Sequence, residues 1–541
     1  MTDGTAPSSH DAIVIGGGVT GAGVARDLAL RGLSVLLLEK GDWGGGTSGA
    51  STWMVHGGPR YLEFDWDTTV LSTEDAGNIV RIARHMVHRC VVLVPVMPED
   101  GLGIERLETA MEVYDRYQPR KESRPHIRLT GEEARRVEPG LAPGVVAAVT
   151  LDEWGVDPHR LAWANVLDAV RSGAQAFNHC RVESLLRDGS AIAGVRYRAA
   201  DGQRVEARAR IVVNAAGPWA PQVAAMAGAE VRLRPAKGIH IVYDRRLSNF
   251  AISAEAVDGR DVILVPHGGV TFLGTTDDDH YGDLDALEVT PDEVDYLLQA
   301  AERVFPSIRA HRPVRATAGV RATLFDWRPR ADRLSRRFEV IDHEREDRVP
   351  GLVTVAGGKL SLYRLMAERT ADAVCARLRH RARCVTGSRP LPGASGVAPP
   401  VRELAAEHGI STLAATRILA RHGSEAPEVL DDPRRGRLAC RCEVVTEAEL
   451  VHAARHEQVR TLADAFRRLG LAAGPCAGTS CVERAAEVIG HELGWSPSQV
   501  REAARDYVTG SWRGRAPVLD RWGWAQEELA YGARRGWPGG L

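Results

Sequence analysis

The sequence predicts an α/β protein built on a Rossmann-like sheet, with an inserted α+β region and a small helical cysteine domain near its end. Three features carry that expectation. Gly16, Gly18 and Gly21 form G-x-G-x-x-G directly after an apolar run. A second glycine turn, Gly357-Gly358, joins another apolar run to a helical stretch. Two cysteine pairs, Cys440-x-Cys442 and Cys476-x4-Cys481, gather in the last quarter of the chain.

The totals bound these elements. A chain of 541 residues is too long for one core and implies about two to four domains. Its 44% hydrophobic and 26% charged residues are those of a soluble globular protein. A net charge of -2 gives no reason to expect a nucleic-acid partner. The start, "MTDGTAPSSH", lacks the charged and apolar regions of a signal peptide. The run "VVLVPVM" (Val91 to Met97) falls far short of the roughly 18 residues that span a bilayer. The expected location is cytoplasmic, with no transmembrane segment and any membrane association made through partners. Eight cysteines in such a chain argue against a disulfide framework. Cys90, Cys180, Cys375 and Cys384 are scattered and read as small core hydrophobes.

"DAIVIGGGVTGAGVARDLALRGLSVLLLEK" opens the chemistry. Ala12 to Ile15 is a strand, an amphipathic helix follows and stops at Gly32, and "SVLLLE" is a second strand ending at Glu39. The glycines permit the tight turn, the approach of a pyrophosphate and close helix–sheet packing. The helix N-terminus offers free N–H groups and partial positive charge to that pyrophosphate. Glu39 is placed for ribose hydroxyls. The motif alone does not separate FAD from NAD. "ARIVVNAAGPWAPQV" (Ala209 to Val223) is a further strand and turn. "LVTVAGGKLSLYRLMAERTADAVCARL" (Leu352 to Leu378) is a strand, a Gly357-Gly358 turn and a long helix. Two glycine-opened helices suggest one FAD held at both ends; two unrelated βα turns are the alternative.

These residues resemble the FAD-dependent glycerol-3-phosphate dehydrogenases. "IGGGVTGAGVARDLALRGLSVLLLEKGDWGGGTS" looks like the opening of that family. "HGGPRYLE" (His56 to Glu63) is similar to its substrate-side loop. "KGIHIV", "FLGTTD", "AGVRATL" and "AGGKLSLYRLMAE" follow in the family's order, so the resemblance runs along almost the whole chain. Within the family the chain looks most like the large FAD subunit of the anaerobic enzyme, which carries a C-terminal cysteine domain. "YRLMAERTADAVC", "CRCEVVT", "GPCAGTSC" and "SWRGRAPV" carry that likeness. One loop departs from the pattern. Aerobic members have Ser-Lys-Leu-Ile before His-Gly-Gly-Leu-Arg-Tyr. Here "STWMVHGGPRYLE" places Trp53 and Met54 there, and Pro59 before Arg60.

Four soft thiolates together mean zinc or an iron–sulfur cluster. Structural zinc favours wider knuckles than Cys-x-Cys. The spacing resembles the bacterioferritin-associated-ferredoxin-like fold, which implies one [2Fe–2S] cluster on Cys440, Cys442, Cys476 and Cys481. "TEAELVHAARHEQVRTLADAFRRL" has helical periodicity between the pairs. "CVERAAEVIGHEL" starts a helix at Cys481, whose dipole lowers the thiolate's pKa. A cluster beside a flavin suggests electron export to a protein partner.

The resemblance implies oxidation of glycerol 3-phosphate with a quinone as the final acceptor through partner subunits; the altered Trp53–Pro59 loop leaves another polyol phosphate or a 2-hydroxy compound as the alternative substrate. It places phosphate on Arg321 and Arg60, with Tyr61, Arg336 and Lys359 also at the substrate. His56 and His240 are the candidate bases, since imidazole titrates near neutrality. Each histidine also has a structural reading, as a flavin-loop or cavity-wall residue. Thr47, Ser48, Ala215 and Gly217 join Gly16, Gly18, Gly21, Glu39, Gly357, Gly358 and Lys359 as FAD contacts. Thr275 and Thr276 shape a sheet edge. The expected FAD-binding parts are 1–84, 146–230 and 315–386. The substrate cap is 85–145 with 231–314. Residues 387–400 are a Pro/Gly/Ser-rich linker, 401–435 a helical connector, 436–495 the cluster domain and 496–541 a Trp-rich tail. That tail either docks a partner or packs on the flavoprotein. A non-catalytic electron-transfer protein is the reading from another class, and retention of Arg321, Lys359 and both histidines speaks against it.

Overall fold

The computed structural model describes residues 9–100, 103–327 and 334–535. Its first sheet has a parallel centre. Strand Ser9–Ile15 lies between Arg204–Asn214 and Val35–Leu38, with Leu352–Gly357 beyond the first and Gln175–Phe177 beyond the second. Strand Phe338–Asp342 adds an antiparallel edge. Val35–Leu38 and the stretches 12–15 and 211–213 read as unbroken apolar runs because both faces are covered. Alternate side chains go to opposite layers. Val14 and Val213 meet the helices Val19–Leu30 and Tyr363–Leu378 on one face, while Ile13 and Val212 meet Ala220 and Ala224 on the other.

The second sheet has ten strands and a chain order far from sequence order. Leu233–Tyr243 is central, paired with Val270–Gly274 on one side and Pro313–Leu324 on the other. Helix Pro291–Val304 covers the outer face, where Leu297 and Ala300 pack on Ile239 and Leu264. Three strands differ from the sequence assignment. Met54–Val55, Ala147–Val156 and most of Pro313–Leu324 fall in the stretches 1–84, 146–230 and 315–386, yet all pair in this second sheet. Strand patterning marks a half-buried ribbon and carries no label for which sheet it joins.

The expected linker at 387–400 is strapped down. Leu391 is fully buried and its N–H donates to the Ile82 carbonyl at 2.8 Å. The Arg389 carbonyl accepts from Arg26 Nη2 at 2.7 Å, and Arg26 pairs with Asp168 at 2.7 Å. Pro and Gly set turns here, and a buried cation then satisfies the turn's carbonyls.

Helices Val401–His408 and Thr412–His422 form a small core around Leu404 and Ile418. The cysteine region follows with its own core of Val445, Leu450, Leu469 and Ile489. The periodic stretch 446–469 divides into helices Glu447–His456 and Leu462–Leu469. Thr446 and Thr461 each open a capping box, with Glu449 and Asp464 closing them, so two starts are written into one run. Buried ion pairs join this region to the loop after Val35–Leu38 and to helix Pro158–Arg171: Arg468 to Asp42 at 2.7 Å and Arg160 to Glu457 at 2.9 Å.

Part of the tail packs on the flavoprotein, where Val518 is buried in the core of the second sheet. Trp512 and Trp524 meet edge to face at 5.2 Å and stay 36% and 44% exposed. Trp537 lies outside the described residues. Among the described residues no helix is long and apolar enough to cross a membrane.

Candidate active site

One cavity of about 1020 Å³ runs from the first glycine turn to the inner face of the second sheet. Every cofactor and substrate residue expected from the sequence lines it, with Gly21 the exception. A Cβ on Gly21 would sit 1.9 Å from the Gly16 carbonyl oxygen, so its role is to let helix and turn touch. Gly16 has φ +109°, and a Cβ there would meet the Ala215 oxygen at 2.6 Å. Ser48 Oγ accepts from the Val19 N–H at 3.0 Å, tying the 47–52 loop to the helix start. Thr47 Oγ1 donates to the Val320 carbonyl at 2.5 Å. Glu39 accepts from the N–H groups of Gly17 and Gly41 at 2.6 and 2.7 Å. Burial raises its pKa, and those two donors oppose the rise. A helix N-terminus, a side-chain-free turn and a strand-end carboxylate in one long cavity fit a dinucleotide.

Ala215, beside the first glycine turn, and Gly217 line the same cavity as Gly357 and Gly358. These last two glycines have φ of 83° and 80°. They do not open the long helix directly. A 3₁₀ turn, Leu360–Leu362, intervenes, and the helix starts at Tyr363. Their freedom is needed because a Cβ would strike the Arg337 oxygen at 2.4 Å or the Met366 sulfur at 2.3 Å.

The reacting end is a cluster of cations. Arg321 donates to Asp277 at 3.0 Å, to the Thr276 carbonyl at 3.2 Å and to Thr275 Oγ1 at 3.2 Å. Arg336 donates to the other Asp277 oxygen at 3.2 Å and to Thr323 Oγ1 at 2.7 Å. Asp277 thus aligns two guanidinium groups at once. Thr275 and Thr276 orient Arg321 rather than merely shaping a sheet edge. Arg60 lies 3.7 Å from Asp261. Lys359 donates to the His56 carbonyl at 3.1 Å and sits 4.9 Å from the Tyr61 ring. Burial pushes Lys359 down to about 8, with Tyr61 and Glu153 opposing. Burial raises the Tyr61 phenol, but the charges of Lys359, Arg336 and Arg60 overcome this and leave it lowered.

The two histidines differ. His56 is held through its backbone, whose N–H donates to Ser361 Oγ at 3.1 Å. Burial first, then Lys359, Lys121 and Arg60, hold its pKa well below 6.5. His240 is 3% exposed, and its Nε2 has no hydrogen-bond partner among the described residues. Burial, then the Arg321 charge, lowers it to about 3. Both imidazoles are therefore neutral at pH 7.

A buried network beneath the loop has no counterpart in the sequence motifs. Glu153 accepts from Lys121 and, at 2.6 Å, from the Tyr114 hydroxyl. A Cβ on Gly57 would lie 2.3 Å from that hydroxyl, so the network seats the His56–Tyr61 loop. Only pairing of distant strands and turns assembles these residues. The departing loop also divides. Met54, His56 and Pro59 reach the cavity wall, whereas Trp53 is absent from it and packs on His159, His267 and Phe272.

The four C-terminal thiols converge. Cys440 and Cys442 sulfurs lie 3.6 Å apart, and those of Cys442 and Cys476 lie 3.8 Å apart. Cys481 faces Cys440 and Cys476 and caps helix Val482–Leu493. All four are free thiols. A Cβ on Gly474 would sit 2.9 Å from the Cys442 sulfur, so the loop is shaped closely around the set. Four facing thiols fit a thiolate-bound metal centre. Cys90, Cys180 and Cys375 are buried as expected, while Cys384 is partly exposed.

Known proteins share this architecture. The FAD dependent oxidoreductase family matches residues 11–373, and the C-terminal domain of alpha-glycerophosphate oxidase matches 384–500. The chain is 35% identical over 531 residues to a subunit of the anaerobic glycerol-3-phosphate dehydrogenase of Haemophilus influenzae, covering 97% of this chain and 92% of that one. It is 30% identical over 454 residues to aerobic glycerol-3-phosphate dehydrogenase of Bacillus subtilis, covering 80% of each. The X-ray structure of glycerol-3-phosphate dehydrogenase from Bacillus halodurans, complexed with FAD, superposes with a TM-score of 0.73 at 25% identity. That match covers 95% of this chain and 96% of that one. The chain therefore belongs to the FAD-dependent glycerol-3-phosphate dehydrogenase family.

Proposed function

We propose that the protein oxidises sn-glycerol 3-phosphate to dihydroxyacetone phosphate. Its thiol set would hold a [2Fe–2S] cluster that passes electrons to partner subunits and a quinone, at the inner face of the cytoplasmic membrane. The observation that carries the substrate reading is the continuity of the dinucleotide cavity with Arg321, Arg336, Arg60 and Lys359 around His240. Relatives named as parts of the anaerobic glycerol-3-phosphate dehydrogenase support it.

Bound FAD would supply the hydride acceptor. Arg321 and Arg336, aligned by Asp277, hold the phosphate, whose paired oxygens suit guanidinium forks. His240, which lines the cavity, takes the hydroxyl proton. Burial is the larger cause of the low His240 pKa, and a phosphate dianion beside Arg321 offsets only the second, the Arg321 charge. Lys359 in its charged form stabilises negative charge developing at the substrate oxygen.

Anaerobic addition of glycerol 3-phosphate to FAD-loaded protein is expected to bleach the flavin absorbance promptly. Unchanged absorbance, with FAD shown to be bound, would sink the substrate assignment. Bound iron on metal analysis supports the cluster; zinc in its place removes the electron-export role. A pH profile tests Lys359. Its charge is present below about pH 8 and lost above it, so kcat/KM is expected to fall as pH rises through that value. Lys359→Arg, charged throughout, should lack this alkaline limb; an unchanged limb would assign it to another group.

A further inference from the structure

Trp53 holds a backbone conformation that bulky residues rarely adopt, with φ +57°. Ser51 and Thr52 line the cofactor cavity, and the positive φ turns the next side chain out of it. The indole N–H donates to the Gly49 carbonyl at 2.9 Å, which sets the ring's direction. The ring then enters a nest of aromatic groups: Phe272 at 5.2 Å, His267 at 5.6 Å and His159 at 5.8 Å. Ala477, the residue after Cys476, is buried in the same apolar cluster with Trp53, Phe272 and Val242. The thiol loop is also pinned from this side, where Arg315 donates to the Ala473 carbonyl at 2.7 Å. Trp53 and Ala477 thus share one apolar cluster between the cavity-lining segment and the loop that carries Cys476 and Cys481.

We propose that Trp53 is the aromatic bridge through which electrons leave the reduced flavin for the thiolate-bound cluster. The proposal rests on the iron–sulfur reading of the four cysteines. It gives a purpose to one of the residues at which this chain departs from the aerobic pattern, and that purpose has no contact with substrate. The step is simple to balance. One electron leaves reduced FAD and one reduces the oxidised cluster. The second follows after a one-electron protein oxidant has reoxidised the cluster, and the flavin's protons go to water. A delocalised ring packed between the segment that ends in the cavity-lining Ser51 and Thr52 and the apolar cluster that holds Ala477 couples donor and acceptor better than aliphatic packing or a void. Trp53 is therefore a positioning and coupling residue rather than a catalytic one.

The test uses FAD- and iron-loaded wild type, Trp53→Leu and Trp53→Phe, each mixed anaerobically with glycerol 3-phosphate. Flavin bleaching is followed by absorbance, and cluster reduction by paramagnetic resonance of rapidly frozen samples. The expected result is unchanged bleaching in all three, with cluster reduction slowed roughly tenfold or more in Trp53→Leu. Trp53→Phe, which keeps a ring, should stay near wild type. Unslowed cluster reduction in Trp53→Leu overturns the bridge while leaving the cluster standing. Equal slowing in both variants assigns the effect to displacement of the thiol loop and also overturns it. If Trp53→Leu loses iron, Phe272→Leu removes the adjoining ring and reads the same two phases. Wild type without iron overturns the cluster reading and this proposal with it, whereas the bleaching phase remains a separate test of the substrate.

Discussion

Arg321→Ala is expected to lower kcat/KM for glycerol 3-phosphate by about 10²–10³, corresponding to roughly 3–4 kcal/mol. The side chain is only 25% exposed and sits deep in the cavity, where charge-assisted contacts are strong. Its three fixed partners, Asp277, Thr275 and the Thr276 carbonyl, leave the guanidinium little rotational freedom to lose on binding. Removing it does not orphan Asp277, because Arg336 also holds that carboxylate at 3.2 Å. The loss should therefore appear in kinetics rather than in folding. Arg321→Lys should recover part of it, since charge returns without the bidentate fork. Steady-state rates for both variants, with thermal unfolding as a control, decide the matter. Near-normal kcat/KM in Arg321→Ala would move the phosphate to Arg60 and Arg336.

The second large effect is expected from Cys442→Ser. Cys442 has close neighbours on both sides, Cys440 at 3.6 Å and Cys476 at 3.8 Å, so it joins the two pairs into one set. Serine offers a harder, more weakly acidic oxygen in place of a soft thiolate. Bound iron is expected to fall by about tenfold or more, and turnover with a one-electron acceptor should fall with it. Flavin bleaching by substrate should persist, because the cavity residues do not depend on the thiols. Iron retained at wild-type stoichiometry would show that Cys442 is not a ligand. Loss of bleaching together with iron would mean that the thiol loop supports the cavity, through Ala477 and Phe272, more strongly than the ion pairs imply.

Much of the site is legible because its chemistry is local. Gly16, Gly18, Gly21 and Glu39 sit within one βαβ unit, where spacing dictates geometry. Likewise, Cys440, Cys442, Cys476 and Cys481 announce themselves by residue type and by two short intervals. Arg321 and Lys359 emerge from family resemblance rather than from any local pattern. Asp277 is visible in a motif, but its role is not. Nothing in "FLGTTD" says that its carboxylate will reach both Arg321 and Arg336, which lie on other segments. Glu153 gives no signal, since a lone acid in an apolar strand carries no sign of Lys121 and Tyr114 beside it.

Local sequence is enough to dictate the dinucleotide turn, the four-thiol set and the helix starts at Thr446 and Thr461, all of which depend on neighbours a few residues away. Long-range pairing alone puts Ala147–Val156 and Pro313–Leu324 in the second sheet. It likewise straps 387–400 to the flavoprotein and turns Trp53 toward the thiol loop instead of the substrate. The cause is the same each time. Strand register, buried ion pairs and aromatic contacts are set by partners tens to hundreds of residues distant, and a one-residue change of pairing turns a side chain to the opposite face.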